Sequence, residues 1–569
     1  MTTSPDADAT RTLSRAVLRH GAPRAAALFV LSTAATAAGL LLPAALGRSL
    51  DLLLAREDAT RPVLWCAGLI LLSAVLEGCA GVVSGTLDAG SAAWLRRRVT
   101  GHVLALGPRG AARFGDGDLV ARLVGGAAQA GTGPAALAAL LAELALPLGA
   151  LVALGLIDWL LAAVFLTGAP VLALLLRALA RDTSACAAEY QREQGVIAAA
   201  LAEAVGGHRT IRAAGAEERE SARVLAPLPR LSRAGHAMWR VQGRAAARAL
   251  TVGPLLSLGV VAVAGLLLAR HRLTVGDVLA ASRYAALATG VGVLVGRLAA
   301  LSRARAGTAR LAEVLGEAEF AYGGRRLRPG TGTLELRGVT ARRGGRSVLD
   351  GVDLTVPGGT TLAVVGRSGT GKSLLAELAG RLADPDAGAV LLDGVPLREL
   401  THDALRRAVA YAFERPALSG TTVEDALAFG LDRPPAHRVR EAARTACADA
   451  FVRRLPHGYD TPLAHAPRSG GESQRLGLAR AFAHGGRLLI LDDALSSLDT
   501  VTERQISRSL LSPGGPTRLL VAHRAATAAA ADAVAWLDGG RVRAVGPHAE
   551  LWREAEYRAV FGDAQDTSK

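Results

Sequence analysis

The chain has 569 residues, half of them hydrophobic and a fifth charged, with a mean hydropathy of +0.29; it is too apolar to be disordered and unusual for a purely soluble protein. Its formal net charge is +15, yet the basic residues are spread along the chain and aromatics make up only 4%, which favours a membrane surface over nucleic acid as the reason for the charge. Four cysteines (Cys66, Cys79, Cys186, Cys447) form no CxxC pair, excluding a disulfide scaffold or a zinc cluster.

Of the 65 basic residues 63 are arginine, lysine occurs only at Lys372 and Lys569, and asparagine is absent. With abundant alanine and glycine, this skew reads as the product of a GC-rich, actinobacterial genome. Arg11, Arg15, Arg19 and Arg24 precede a charge-free run at 25–47, about 34 Å long as a helix and sufficient to cross a bilayer. A cleaved signal peptide has a shorter apolar core, so this is expected to be an uncleaved first span. Further spans are expected at 62–87, 134–157, 159–176, 250–269 and 275–301, making six. The connections alternate between short and long. The N-terminal tail and the two long connections hold 22 arginines, the short ones only Arg48, Arg56, Arg61, Arg270 and Arg272. This bias places the tail and long connections in the cytoplasm, where their helical periodicity reads as helices continuing past the lipid.

Glu77, Glu143, Arg283 and Arg297 interrupt the apolar runs. Charges at such depth face a bundle interior or a water-filled cavity. They either select a polar or basic cargo, or pair between helices and snorkel. Cys66 and Cys79 read as small packing residues.

The texture changes near residue 320. A Gly/Arg/Pro stretch at 323–333 has linker character, and after it short apolar runs at 333–336, 361–365, 389–392, 488–491 and 518–521 alternate with helical segments. The expected organisation is an all-α six-helix transmembrane domain over 1–320, a linker over 321–332, and an α/β P-loop domain over 333–569.

The chemistry concentrates in that last domain. Gly366, Arg367, Ser368, Gly369, Thr370, Gly371, Lys372 and Ser373 spell G-x-x-x-x-G-K-S between an apolar strand and a helix, the context a phosphate-binding loop requires. Its glycines let backbone N–H groups curl around phosphate oxygens at a helix N-terminus. Lys372 supplies a cation to the β/γ-phosphates of ATP and Ser373 a hydroxyl to Mg2+. In a chain almost devoid of lysine, arginine does not substitute here, because its fork is bulkier. The apolar run LLILDD ends in Asp492, suited to the Mg2+ shell, and Asp493, which faces the attacking water.

The order of P-loop, SGGE, LLILDD, SSLD and AHR behind six spans resembles an ATP-binding cassette (ABC) half-transporter of the exporter type, over essentially the whole chain. The segments GDGDL with Arg122 and TIRAAGAE at 210–217 resemble those flanking the family's cytoplasmic coupling helices, and Gly276–Asp277 the start of its sixth span. The resemblance implies a dimer in which Ser469, Gly470, Gly471 and Glu472 close on the γ-phosphate held by the partner chain, with Asp499 beside them. It implies also that His523 contacts the γ-phosphate and orients the attacking water.

Several positions depart from the family. Asp493 stands where a glutamate is usual, retracting the base by one methylene. Glu414 replaces a glutamine; it can still ligand Mg2+ but adds negative charge beside the triphosphate. Arg343 occupies the place of the adenine-stacking aromatic and can stack by its guanidinium plane. Arg468 replaces an apolar residue at the start of the signature. LDDALSSLD is similar to the weak-site half of heterodimeric ABC exporters, so the expected partner is a second half-transporter, with a homodimer as the alternative, alongside the bilayer and a transported substrate. FERP at 413–416 and the SGGE region are similar to half-transporters beside actinobacterial peptide natural-product clusters, including lanthipeptide ones, making a modified peptide the first expected cargo and small hydrophobic drugs the second. Only about two dozen residues precede the first span, so cleavage of a leader by this chain is not expected. A weakly hydrolysing regulatory half, a multidrug or lipid exporter, and an importer on the same architecture remain alternatives.

Overall fold

The computed structural model describes residues 5–289, 292–466, 469–510 and 515–562. Within its helices the side chains of 5–7, 109, 111, 116, 169, 171–188, 242, 245, 246, 248–250, 252, 292, 293 and 295 are not described. Cys186 and the signature's Arg468 therefore lie outside the described residues. The chain divides into two compact units, one comprising Met1–Ala105 and Phe114–Ala318, the other Leu106–Arg113 and Glu319–Lys569.

The first unit is helical throughout. Pro5–Leu54, Thr60–Ala105, Trp159–Gly206 and Leu228–Ala269 each run for 42 to 50 residues, well beyond the roughly 20 that span a bilayer. The third passage is broken into Asp116–Ala121, a π-turn at Arg122–Gly126, Ala127–Gly131, Gly133–Glu143 and Ala145–Ile157. The sixth comprises Val275–Thr289 and Gly292–Leu315. Among the described residues, Asp8–Leu54, Thr60–Ala105 and Gly117–Ile157 are long and apolar enough to cross a membrane, and Trp159–Gly168 and Gly253–Ala269 are shorter apolar helices. Val30, Leu64, Trp65, Leu71, Val82, Leu148, Val152 and Leu156 are exposed, which only a lipid solvent makes favourable on this scale.

Of the four membrane charges, Glu143 accepts two hydrogen bonds from the Arg297 guanidinium, at 3.0 and 2.9 Å, and so pairs two helices of the unit. Glu77 and Arg283 are exposed. At the far end of the spans, Asp51 accepts from the Gly276 N–H at 2.7 Å and from the Thr274 hydroxyl at 2.7 Å. Asp158 caps the helix it precedes and pairs with Arg272 at 2.9 Å.

Gly47 and Gly276 make a backbone-to-backbone crossing here. A Cβ on Gly276 would overlap the Gly47 carbonyl oxygen and the Asp51 carboxylate. The carbonyl is fixed backbone, and the carboxylate is held by its bonds to Thr274 and Gly276. Gly276→Ala is expected to destabilise the protein by about 1–3 kcal/mol, the range for overpacking, read as a lower thermal midpoint of the purified chain in detergent; an unchanged midpoint contradicts the crossing.

The second unit holds two sheets. The four-stranded antiparallel sheet has the order β2–β1–β4–β5, from β1 (Leu334–Arg343), β2 (Arg346–Val356), β4 (Ala387–Leu392) and β5 (Val395–Pro396). The six-stranded sheet has the order β10–β9–β3–β8–β7–β6. It contains β3 (Thr361–Val365), β6 (Val409–Phe413), β7 (Leu488–Asp492), β8 (Thr517–Val521), β9 (Ala533–Asp538) and β10 (Arg541–Gly546). Its strands are parallel except for the edge pair β10–β9.

Successive side chains of the central strands enter opposite cores. Leu362 and Val364 join one cluster with Leu488, Ile490, Ala535 and Leu537. Ala363 and Val365 join the other with Leu489, Leu491, Val534 and Trp536. This is the two-residue period of a strand buried on both faces. It brings the C-terminal ends of β3, β6, β7 and β8 to one edge, where open parallel sheets bind ligands.

The stretch with linker composition is pinned down. The Gly323 N–H donates to the Leu400 carbonyl at 2.9 Å, the Arg325 N–H to that of Glu399 at 2.8 Å, and the Thr401 N–H to that of Arg325 at 2.8 Å. Gly332 and Thr333 donate to Asp393. Buried Arg381 bonds the Ala321 carbonyl at 2.5 Å, with Phe320 and Tyr322 against its guanidinium. Composition reads local flexibility; long-range backbone bonds decide the outcome.

Candidate functional site

The turn from β3 into the helix Lys372–Ala379 is built on glycine. Gly369 and Gly371 have φ of +84° and +99°, values that side chains with a Cβ rarely adopt, and a Cβ on Gly371 would sit 2.8 Å from Leu349. Lys372 is only 6% exposed. Its ammonium donates to the Gly366 carbonyl at 2.7 Å and the Arg367 carbonyl at 3.0 Å, so the charge is fixed over the mouth of the loop. Burial lowers its pKa, while Asp493 and Asp492 act in the opposite sense.

Asp492 closes β7 and faces this loop. Burial raises its pKa, the Ser373 hydroxyl hydrogen bond lowers it, and Glu377 and Glu414 raise it further. Its Oδ1 is buried with no hydrogen-bond partner, a costly state for a carboxylate. An unpaired carboxylate oxygen beside a serine hydroxyl suits a hard cation such as Mg2+, with oxygen ligands. Among the described residues no group of three His, Cys, Asp or Glu could hold a metal; such a cation needs phosphate oxygens and water to complete its shell.

Asp493 has φ +50°, in the left-handed region that Asp and Asn tolerate better than other non-glycine residues. Burial first, and then Glu414, push its pKa up to about 6. Its Oδ2 lies 3.8 Å from His523 Nε2. His523, two residues beyond β8, has its pKa lowered by burial and by Lys372, against a raising influence of Glu414. Glu414 follows β6, with an exposed carboxylate 3.6 Å from Arg415. Lys372, Ser373, Asp492, Asp493, His523 and Glu414 thus gather at the strand ends. Arg343, at the end of β1, is exposed and 3.7 Å from Glu377 of the loop's helix.

Ser469 caps the helix Gly470–His484 through a reciprocal box with Glu472: the Glu472 N–H donates to the Ser469 hydroxyl at 3.2 Å, and the Ser469 N–H to the Glu472 carboxylate at 2.8 Å. Glu472 is therefore occupied in capping, while the N–H groups of Gly470 and Gly471 stand at a helix N-terminus, favourable for an anion. Asp499 accepts from the Val501 and Thr502 N–H groups at 3.1 and 2.9 Å, capping Thr500–Leu510; the Thr502 hydroxyl first, and then these backbone bonds, hold its pKa low.

Gln474 ties these segments together and is absent from the site expected on sequence. It is 1% exposed. Its amide nitrogen donates to the carbonyls of Glu414 and Asp493, both at 3.2 Å, and its oxygen accepts from the Ser497 N–H at 3.0 Å. The loops after β6 and β7, both carrying the chemistry, are therefore indexed to the signature helix. Its partners are 19 to 60 residues away in sequence, and mostly backbone, so no local pattern marks it.

Residues 349–496 match the family model "ABC transporter" and residues 26–291 the model "ABC transporter transmembrane region". The chain is 54% identical over 555 residues to the ABC transporter ATP-binding protein RamA of Streptomyces coelicolor, covering 96% of this chain and 87% of that protein. It is 30% identical over 484 residues to the ATP-dependent lipid A-core flippase of Escherichia coli K12, covering 82% and 81%. A solved bacterial Atm1-family ABC exporter with ATP bound shares the fold, with a TM-score of 0.81 over 97% of this chain and 99% of that one at 24% identity. The chain belongs to the ABC transporter family, as an exporter-type fusion of a helical transmembrane domain with a cytoplasmic ATP-binding ATPase domain.

Proposed function

We propose that this ATP-driven exporter works as one half of a heterodimer, and that its own P-loop forms the slower of two ATP sites. The observation that carries the reading is Asp493, short by one methylene and held in a left-handed backbone conformation 3.8 Å from His523. In this reading Gly366 to Gly371 wrap the phosphates with backbone N–H groups, Lys372 neutralises the β/γ oxygens, and Arg343 stacks on the adenine. Ser373 and Asp492, with Glu414 nearby, would hold Mg2+, which when bound offsets phosphate charge. Asp493 accepts the proton of the attacking water and His523 orients that water and the γ-phosphate. Ser469, Gly470, Gly471 and Asp499 serve the nucleotide of the partner chain, with Glu472 fixing Ser469 in place.

The proposed cargo is a modified peptide. The Glu143–Arg297 pair belongs to helix packing in this account and does not select the cargo. Purified alone, the chain is expected to show slow ATP turnover that cargo does not stimulate. Co-purified with a second half-transporter, it is expected to turn over at least about tenfold faster, the scale lost when a base is misplaced, and vesicles with both chains are expected to accumulate the peptide. A robust, cargo-stimulated rate from the homodimer would falsify the heterodimer.

A further inference from the structure

Glu503 has no place in the chemistry above, yet it is a carboxylate only 7% exposed in the helix Thr500–Leu510. A buried carboxylate is expensive unless its oxygens are satisfied, and both are. Oε2 accepts from the Arg524 guanidinium, and Oε1 from the Thr527 hydroxyl at 2.5 Å. Arg524 directly follows His523 and stands at the N-terminus of the helix Ala525–Ala529, of which Thr527 is a member. The other arm of Arg524 reaches back, donating to the Ser496 carbonyl at 3.4 Å and approaching the Leu498 carbonyl at 3.5 Å. Ser496 in turn donates its hydroxyl to the Asp493 carbonyl at 3.0 Å.

The segment from Asp493 to Leu498 is thereby gripped twice, by Gln474 on the signature side and by Arg524 on the side of His523. The second grip is itself anchored on Glu503. The backbone flanking His523 and the backbone bearing Asp493 meet in one guanidinium whose orientation Glu503 fixes. Paired geometry of this kind is what a planar, multiply donating arginine supplies.

We propose that Glu503 is a positioning residue for ATP hydrolysis: through Arg524 and Thr527 it holds His523 in register with Asp493, without touching nucleotide. The inference rests on the role proposed for His523 and goes beyond it. A buried ion pair serving only to join two helices would produce the same contacts, so the test needs a readout that stability alone does not move.

The test is a double-substitution cycle on the full chain in its functional dimer, with turnover and KM for ATP measured for Glu503→Gln, His523→Ala and the two combined. Glu503→Gln keeps size, removes the charge and replaces one of the two acceptor oxygens with a donor. Turnover is expected to fall about fivefold to tenfold, within the cost of sub-ångström misplacement, with KM within twofold. Combining it with His523→Ala should lower turnover no further than His523→Ala alone, since coupled residues are non-additive. Thr527→Val, which removes only the second anchor, should cost about twofold to threefold on the same scale. Losses that multiply in the double variant, while His523→Ala alone is strongly impaired, overturn the proposal and leave the role of His523 standing. A His523→Ala variant with unimpaired turnover overturns both. A change confined to KM, or no change with Glu503→Gln, overturns the proposal.

Discussion

Lys372→Ala is expected to abolish productive ATP binding, weakening affinity by at least about 10²-fold and removing ATP-driven transport with it. Lys372 is 6% exposed, and its ammonium is already held over the loop by the Gly366 and Arg367 carbonyls, so little ordering is left for the moment of binding. Hydrogen bonds to charged groups contribute about 1.5–3 kcal/mol each; with one of the three ammonium donors free and a second released from a carbonyl, two to phosphate oxygens account for the expected loss at 1.4 kcal/mol per decade. Lys372→Arg should fail nearly as badly. Its planar fork is broader than an ammonium, and the head group is already enclosed by the Gly366 and Arg367 carbonyls. Equilibrium titration of the purified full chain with ATP reads the outcome. Unchanged affinity in Lys372→Ala would contradict the whole phosphate-binding arrangement.

What could be read from the sequence follows from where each signal originates. The strands β3, β7 and β8 were legible because both their faces are buried, so they read as predominantly apolar runs between turns. The strands β2 and β10 were not, because alternate residues are exposed and carry charge, as in RSVLDGVDLTV and RVRAVG. The P-loop was legible because its φ values demand glycine at fixed spacing. The membrane helices were legible as apolar runs, and the breaks at Thr132 and Leu144 in the third passage fall beside Pro134 and Pro147, each of which removes a helical N–H donor.

Within the site, Lys372, Ser373, Asp492, Asp493 and His523 belong to short motifs that local chemistry explains. Gln474 and Glu503 act through partners far along the chain, and only the folded backbone puts those within reach. The capping role of Glu472 was readable as S-x-x-E.

Asp493 separates chemistry from backbone strain in a way that three substitutions resolve. General-base catalysis contributes about 10²–10⁴-fold, and a retraction near 1 Å forfeits up to about 10² of it. Asp493→Asn should therefore slow this chain's own site roughly tenfold to a hundredfold, with ATP affinity unaltered, and less than the matching substitution in a partner with an unretracted base. Asn tolerates the φ of +50° as Asp does, so folding should be unaffected. Asp493→Glu restores reach but places a longer side chain in the left-handed region, at about 1 kcal/mol of stability; turnover should rise while the thermal midpoint falls. The proton adds an independent handle. Because burial and Glu414 push the Asp493 pKa up from 3.8 to about 6, the base is protonated below that pH and turnover should rise through an acid limb near pH 6. The same shift means the folded state binds the proton more tightly than the unfolded chain, so this group's stabilising contribution, complete below pH 3.8, is lost as pH rises through about 6. Glu414→Gln removes a negative neighbour that raises Asp493 and His523 alike, and must move the acid limb to lower pH. An acid limb that stays put in Glu414→Gln, or that survives Asp493→Asn, would show that the titrating base is another group.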